Sequence, residues 1–150
     1  MQTNNSYKTA ITRKALSVPT ARLLKAGLLR GDILDYGAGK GFDAHAIGAS
    51  SYDPHFAPKK PATKFDTIIC NYVLNVVDES TQSEIVSEIL SHMKKDAHAY
   101  ITVRRDLPEQ GAPGRGCYQR QAHLLLGSNV KILWETTAYC TYVIGFNLNM

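Results

Sequence analysis

The sequence predicts an α/β sandwich built on a mainly parallel sheet and folded as one domain. Short apolar segments alternate with helical ones along most of the chain, as expected where helices connect parallel strands. Two β-prone segments near the end are joined by a tight connection, which indicates a closing antiparallel pair. The 150 residues, 44% of them hydrophobic and 20% charged, suffice for a single sizeable core and exclude disordered, collagen-like and disulfide-scaffold proteins.

Charge and cysteine content narrow the function classes only mildly. The 17 Lys and Arg residues against 13 Asp and Glu residues give a net charge of +4, which permits an anionic partner without requiring one. The cysteines have no C-x-x-C spacing and the histidines no metal-ligand spacing, so we expect reduced thiols and no metal site. No apolar run approaches the roughly 20 residues of a membrane span, and the polar start lacks a signal peptide. We therefore expect a cytoplasmic protein with no membrane partner.

The first predicted elements lie on either side of a glycine-rich turn. Residues 1–15 are polar and predict a flexible arm, and residues 16–150 predict the single domain. Ser17 is the predicted N-cap of a helix that ends at Gly27, a suitable C′ residue. The elements expected next are a buried strand at 33–36, a helix at 42–49, a short strand at 51–53 and a strand centred on 67–70.

The second half of the chain contains the clearest helix, at 82–94. Its apolar residues fall on one face, and Thr81 and Glu84 have the spacing of a capping box. The other elements predicted here are a strand at 99–103, a helix at 118–126 after a loop rich in glycine and proline, and the antiparallel strands at 130–135 and 139–146.

A glycine loop follows the first predicted strand, with the sequence Asp35-Tyr36-Gly37-Ala38-Gly39-Lys40-Gly41. A turn from a buried strand into a helix needs glycines where φ is positive or where the backbone must approach a ligand closely. Asp53 lies eighteen positions after Asp35, where a carboxylate can accept hydrogen bonds from two ribose hydroxyls. The pattern favours a nucleotide-type cofactor; a tight turn, and for Asp53 a turn before Pro54, are the structural alternatives. A dinucleotide-binding loop would need glycine where the chain has Phe42.

The loop matches D-x-G-x-G-x-G fully, and here the chain resembles the class I S-adenosylmethionine-dependent methyltransferases. Residues 65–75 are similar to that family's fourth-strand segment, and the resemblance covers roughly residues 16–106. Several short motifs are also similar to small methyltransferase-like proteins of bacteria and their phages. The resemblance implies a Rossmann-like methyltransferase sandwich, S-adenosyl-L-methionine as cofactor, and methyl transfer to an unidentified small or exposed acceptor.

The chain departs from the family between Asp53 and Phe65. The eleven residues there are too few for the usual helix and third strand, so we expect a sheet shortened at the third-strand edge. The missing strand normally contributes to the adenine pocket. His55 or Phe56 would then cover the adenine ring.

The resemblance implies roles for residues near the carboxyl ends of the strands, where open α/β sheets bind their ligands. The residues expected to bind the cofactor are Asp35, Gly37, Ala38, Gly39, Gly41, Asp53, Pro54, Cys70 and Asn71. Those expected to act in catalysis are Asn71, Tyr72 and Asp106, with His55 as the other candidate base. Those expected to bind substrate are Arg104, Arg105 and Tyr118. Their structural alternatives are strand capping by Asn71, core packing of Tyr72, and a surface connector at Tyr118 and Gln119. For the two arginines the alternative is ion pairing with Asp78, Glu79 or Asp106.

Two other functions stay open. A nucleic-acid methyltransferase could borrow target recognition from a partner, although both prolines of the [DN]-P-P-[YF] tetrapeptide are missing from Asn71-Tyr72-Val73-Leu74. A non-catalytic S-adenosylmethionine-binding subunit fits the lack of an obvious catalytic base. The acceptor and the oligomeric state do not follow from the sequence.

Overall fold

The computed structural model describes residues 5–146 and 148 as an α/β sandwich around one six-stranded sheet. Residues 1–4 of the predicted arm, and 147, 149 and 150 of the predicted domain, lie outside the described residues. The helices are α1 (Val18–Lys25), α2 (Phe42–Ile47) and α3 (Glu79–Ser91), with 3₁₀ turns at Ser6–Thr9 and Leu74–Val76. The strands are β1 (Ile33–Tyr36), β2 (Ser50–Tyr52), β3 (Phe65–Asn71), β4 (Met93–Arg104), β5 (Ala112–Gly114), β6 (Cys117–Gln119), β7 (Val130–Glu135) and β8 (Tyr139–Ile144). In the part of the chain that the structure describes, no helix is long and apolar enough to cross a bilayer.

The main sheet has the strand order β2-β1-β3-β4-β8-β7, and β5 and β6 form a separate hairpin. Strands β2, β1, β3 and β4 are parallel, whereas β8 pairs antiparallel with β4, and β7 with β8. The predicted mainly parallel sheet and its closing antiparallel pair are confirmed. Because β2 is an edge strand, the predicted shortening is confirmed as well. The carboxyl ends of four strands therefore meet at one edge of the sheet.

Both faces of the sheet are covered by helices. Neighbouring residues of a strand point to opposite faces, so those of β3 belong to two different buried clusters. Ile68 belongs to a buried cluster with Ile85 and Ile89 of α3. Ile69, the next residue of β3, belongs to a second cluster with Leu23 of α1, against which α2 also packs. This two-sided burial explains the continuous apolar run in β3.

The predicted helix at 118–126 is wrong. Its first residues belong to β6, which pairs with β5 in a hairpin. Beyond the hairpin, the Arg120 amide donates to the backbone oxygen of Asn75 (2.8 Å), and the Asn75 side chain donates to the backbone oxygen of Arg120 (2.8 Å). The backbone groups that a helix would use are therefore bound to another segment.

The predicted helix at 82–94 is displaced toward the N-terminus as α3. Asp78 is the observed N-cap, and its side chain accepts a hydrogen bond from the Thr81 amide (2.8 Å). Aspartate caps a helix better than threonine, so α3 starts before the predicted capping box. It also ends earlier because Met93 already begins β4, a longer strand than the predicted 99–103. The other predicted helices and strands are confirmed to within three residues at each end.

Candidate active site

A cavity of about 730 Å³ lies where the carboxyl ends of β1, β2, β3 and β4 meet. Its walls come from the arm, the glycine loop, the ends of these strands and the turn between β5 and β6. The predicted site residues that line it are Asp35, Gly37, Ala38, Gly39, Gly41, Asp53, Pro54, Asn71, Tyr72, Arg104 and Asp106. The structure thus brings most of the predicted site to one place.

The glycine loop runs along one wall of the cavity in a backbone conformation that needs glycine. Gly37 has a φ of 82° and Gly41 a φ of 86°, in the left-handed region that side chains disfavour. A Cβ atom on Gly37 would also lie 2.4 Å from Val73 Cγ2. The amides of Gly37 and Ala38 donate to the Tyr52 oxygen (2.7 and 3.0 Å), which ties the loop to β2. The loop therefore presents bare backbone to the cavity.

Asp53 follows β2 and holds the glycine loop in place. Its Oδ2 accepts a hydrogen bond from the Gly39 amide (2.9 Å), and its Oδ1 accepts from the amides of His55 (2.9 Å) and Phe56 (3.1 Å). The turn that was the structural alternative for Asp53 is therefore present. Each carboxylate oxygen can accept more than one hydrogen bond, so the same side chain can also serve a ligand in the cavity.

Asp35 is a buried carboxyl group, 4% exposed, that lies close to two other carboxylates. Burial, followed by the charges of Asp43 and Asp53, raises the pKa of Asp35 to about 8, against the smaller opposite effect of Arg13. The carboxyl group is therefore largely protonated at neutral pH. A positively charged ligand group placed beside it would favour its ionised form.

A buried hydrogen-bond network connects α1, α2 and β3 beside the cavity. Asp43 accepts hydrogen bonds from the Ser17 amide (3.0 Å), the Ser17 hydroxyl and the Thr20 hydroxyl (2.7 Å). Thr20 Oγ1 in turn accepts one from Asn71 Nδ2 (2.9 Å). Because the single hydroxyl hydrogen of Thr20 goes to Asp43, Asn71 must present its amide nitrogen there. The Asn71 Oδ1 is then a buried acceptor with no hydrogen-bond partner among the described residues.

Two non-glycine residues of the described chain have a positive φ, and both line the cavity. Tyr72 has a φ of 62° directly after β3, and Arg115 has a φ of 51° in the turn between β5 and β6. Conformations of this kind cost on the order of 1–3 kcal/mol and cluster at functional sites. Burial also raises the pKa of the Tyr72 phenol, which therefore stays protonated. The strain marks both residues as part of the site.

Arg104 is anchored at the end of β4 by three hydrogen bonds. Its Nε donates to Asp106 Oδ1 (2.8 Å), its Nη1 to Gln119 Oε1 (2.6 Å), and its amide to Asn75 Oδ1 (2.7 Å). The predicted alternative of ion pairing with Asp106 is therefore present. The hydrogen bond from Arg104 lowers the pKa of Asp106, so this carboxylate is ionised at neutral pH but is a weak base.

Three predicted site residues lie away from the cavity. Arg105 donates to the Tyr142 hydroxyl (2.6 Å) and to a backbone oxygen after β6 (2.8 Å), so it joins the sheet to that segment. Tyr118 is exposed, and its hydroxyl donates to the Gln110 backbone oxygen (2.6 Å). Cys70 is fully buried because its side chain points from β3 into the core. The predicted substrate roles of Arg105 and Tyr118 and the cofactor role of Cys70 do not fit these positions.

Sequence reasoning missed several residues that line or support the cavity. Arg13 and Arg115 line it from segments far apart in the chain. Asn75 binds the Arg104 amide, and Thr20 orients Asn71. Nothing in the local sequence marks these residues, because each acts on a segment distant from its own.

Aromatic side chains from the arm and from the loop after β2 form another part of the wall. Tyr7 stacks on His55 with ring centroids 4.0 Å apart and an interplanar angle of 11°, and both residues line the cavity. Phe56 contacts the His55 ring edge-on, with centroids 4.6 Å apart, but does not line the cavity. Of the two residues expected to cover an adenine ring, His55 is the one at the cavity.

Comparison with known proteins relates this geometry to one family. A family model described as a methyltransferase domain matches residues 9–128, which is most of the chain. Among curated proteins nothing matches. A solved DhpI–SAH complex is similar, with a TM-score of 0.57 and 12% identity over 86% of this chain and 84% of that one.

Two further solved structures have the same fold. A TehB-like SAM-dependent methyltransferase from Corynebacterium glutamicum has a TM-score of 0.54 and 17% identity, over 84% of this chain and 86% of its own. The 1,6-didemethyltoxoflavin-N1-methyltransferase from Burkholderia thailandensis, solved with 1,6-didemethyltoxoflavin and S-adenosylhomocysteine, has a TM-score of 0.56 and 12% identity. That match covers 94% of this chain and 78% of that one.

The structural matches at these identities show the fold, and the family match shows the family. The predicted Rossmann-like methyltransferase sandwich is confirmed. The family match also confirms the prediction that the chain is a methyltransferase-type domain. The chain belongs to the methyltransferase domain family.

Proposed function

We propose that the domain binds S-adenosyl-L-methionine in this cavity and transfers its methyl group to a small acceptor. The observation that carries the proposal is the convergence of Asp35, Asp53 and the glycine loop on one cavity. The cofactor supplies a methyl group on positively charged sulfur: the acceptor's lone pair bonds to the methyl carbon, and the electron pair of the broken carbon–sulfur bond stays on sulfur. The protein's own task is to bind the reactants, align them and exclude water.

The polar groups of the cavity fit the groups of this cofactor. Asp53 suits a ribose hydroxyl because its Oδ2 accepts only the Gly39 amide in the turn and can accept one further hydrogen bond. Asp35 suits the cationic amino end because its buried carboxyl group gains from a nearby positive charge. The backbone of residues 37–41 lets the methionine portion approach closely, which a side chain would obstruct.

The Tyr7–His55 pair takes the place of the missing third strand in this proposal. It lies next to Asp53, whose Oδ1 accepts from the His55 amide. Planar rings stack favourably on aromatic side chains at such spacings. The adenine ring would therefore lie against this pair, close to the ribose bound by Asp53.

The acceptor would bind beside Asn71, Tyr72 and Asp106. The Thr20 hydroxyl holds the Asn71 side-chain amide in one orientation. The Asn71 Oδ1, which has no partner among the described residues, would then bind the N–H or O–H group of the substrate that is methylated. Asp106 is the nearest ionised carboxylate to Arg104, but its lowered pKa makes it a weak base. The site therefore favours an acceptor that gives up its proton readily.

Calorimetric titration of the protein with S-adenosylmethionine, S-adenosylhomocysteine and NAD tests the proposal. We expect micromolar binding of the first two and none of NAD, because the loop has Phe42 where a dinucleotide site needs glycine. Binding of NAD instead, or of none of the three, would contradict it. Cofactor binding without transfer to any acceptor would favour the non-catalytic subunit.

A further inference from the structure

Three arginines from separate segments line the cavity. Arg13 comes from the arm, Arg104 from the end of β4, and Arg115 from the turn between β5 and β6. The arm and this turn contact each other, since a Cβ atom on Gly116 would lie 3.0 Å from Lys8 Cδ. The three arginines therefore border one cavity from different segments of the chain.

Arg104 lies away from the carboxylates of the cofactor end. The charges of Asp43 and Asp53 act on the pKa of Asp35, whereas those of Arg104 and Asp106 act on the pKa of Tyr72. The charge of Arg13 lowers the pKa of both Asp35 and Tyr72, so Arg13 lies between the carboxylates around Asp35 and the charged groups around Tyr72. Among the charged side chains that act on the pKa of Tyr72, the two arginines Arg13 and Arg104 face a single carboxylate, Asp106, and all three line the cavity.

The Arg104 guanidinium is fixed by two side-chain partners and still has N–H groups that can bind a ligand. Asp106 and Gln119 hold its Nε and Nη1, and Gln119 is itself 7% exposed. Among the described residues, Arg104 Nη2 makes no hydrogen bond. A guanidinium fixed in this way loses little side-chain freedom when its remaining N–H groups bind a carboxylate or a phosphate.

Arg13 and Arg115 reinforce this arrangement. Neither guanidinium forms a hydrogen bond or an ion pair within the part of the chain that the structure describes. Arg115 also lines the cavity with a positive φ of 51°, a strained conformation of the kind that clusters at functional sites. Arg22 and Arg105, by contrast, donate hydrogen bonds to the hydroxyl groups of Tyr139 (3.0 Å) and Tyr142 (2.6 Å).

We infer that the methyl acceptor is a small molecule with a carboxylate or phosphate group, which Arg104, Arg13 and Arg115 hold beside Asn71 and Tyr72. The inference rests on the proposed function and names the substrate class of the same site. A small acceptor is favoured over a nucleic acid because the arginines line a single cavity of about 730 Å³ and not an extended basic groove.

The test titrates the protein, saturated with S-adenosylhomocysteine, with benzoate, phenyl phosphate and benzamide. Benzoate and benzamide have nearly the same size and differ in charge. We expect at least one anion to bind tenfold or more tightly than benzamide, and the tighter of the two anions identifies the group as carboxylate or phosphate. Equal affinity for all three compounds would overturn the inference.

Arginine variants assign the effect to the site. Arg104→Gln and Arg115→Gln should each weaken anion binding about fivefold or more, whereas benzamide binding should not change. Lys59→Gln removes the same charge from an exposed position outside the cavity and should have no effect. Thermal melting of each variant checks its fold, and Arg115, in an exposed turn, keeps the test valid if the Arg104 variant does not fold. Equal weakening by Lys59→Gln would overturn the inference.

Two outcomes separate this inference from the proposed function. If S-adenosylhomocysteine does not bind to the wild-type protein, the proposed function fails, and the anion titration is then repeated without it to judge the arginines alone. If it binds and a single-stranded oligonucleotide displaces the small anions at lower concentration, the acceptor is a nucleic acid and the inference is wrong.

Discussion

The cofactor end and the acceptor end of the cavity are assembled in different ways. The cofactor end comes mainly from one stretch, residues 35–55, to which the arm adds Tyr7, and it is rich in carboxylates. The acceptor end combines Arg13, Arg104 and Arg115, of which the outer two are 102 positions apart. The difference suits a cationic cofactor on one side and an anionic acceptor on the other. It also shows what sequence reasoning can find: the local motif and Arg104 were predicted, whereas Arg13 and Arg115, from distant segments, were missed.

Gly39→Val should have the largest effect on the cofactor end. Gly39 has a φ of 57°, and an added Cβ would lie 3.3 Å from the Ala10 Cβ of the arm. Valine would therefore strain the loop and push the arm from the cavity, so we expect S-adenosylhomocysteine binding to be lost while the domain stays folded. Calorimetry measures the binding, and circular dichroism measures the fold.

Gly48→Val is the matched control for this prediction. Gly48 also has a positive φ, 71°, but no atom lies within 4 Å of an added Cβ. Valine at position 48 strains the backbone in the same way but lies outside the cavity, so the affinity for S-adenosylhomocysteine should not change. If the Gly39 variant also binds normally, the glycine loop is only a turn.

Asp53→Ala should weaken S-adenosylhomocysteine binding by about 1–3 kcal/mol, the cost of losing charge-assisted hydrogen bonds. Part of the loss comes from the loop, because Asp53 also accepts from the Gly39 amide. Asp96→Ala removes an exposed carboxylate outside the cavity and serves as the control in the same titration. An unchanged affinity in the Asp53 variant would refute the ribose role.

Asp35→Asn tests the raised pKa of Asp35 at the cofactor end through the pH dependence of the free energy of unfolding. The folded pKa of Asp35 is about 8 and its ordinary value is 3.8, so between these values the unfolded chain has lost a proton that the folded domain keeps. The free energy of unfolding should therefore fall as pH rises through this window, by about 1 kcal/mol per pH unit from this group. Urea unfolding at pH 5, 6 and 7 should show a smaller fall in the variant. If the free energy of unfolding falls equally with pH in the wild-type protein and in the Asp35 variant, the pKa of Asp35 is not raised.

Tyr7→Ala should have the smallest effect, because it removes only the outer ring of the aromatic pair. We expect S-adenosylhomocysteine to bind about 0.5–1.5 kcal/mol more weakly, the usual contribution of an aromatic contact. Tyr118→Ala is the control, since Tyr118 is similarly exposed but lies outside the cavity. Equal losses in both variants would mean that the arm does not contact the adenine ring.

The parts of the fold that local sequence determines were predictable. The strands at 33–36 and 130–135 have the predicted bounds, because their flanking turns and apolar runs mark them. The helix expected at 118–126 was not correct, since Asn75, more than forty positions earlier, binds the backbone of Arg120. Tertiary contacts of this kind override local propensity.

The candidate site divides in the same way. The glycine loop and Asp53 are adjacent to strand ends, so a sequence pattern places them at the cavity. Arg104 and Arg105 are consecutive and looked equivalent, but neighbouring residues of an extended strand point to opposite sides. Arg104 faces the cavity, and Arg105 binds Tyr142.

A crystal structure of the protein with S-adenosylhomocysteine tests the central claim most directly. We predict that a ribose hydroxyl donates to Asp53 Oδ2, that the amino group lies beside Asp35, and that the adenine ring contacts His55. The space beside Arg104 and Tyr72 should remain open for the acceptor. A cofactor bound elsewhere, or one whose ribose makes no contact with Asp53, would contradict the account.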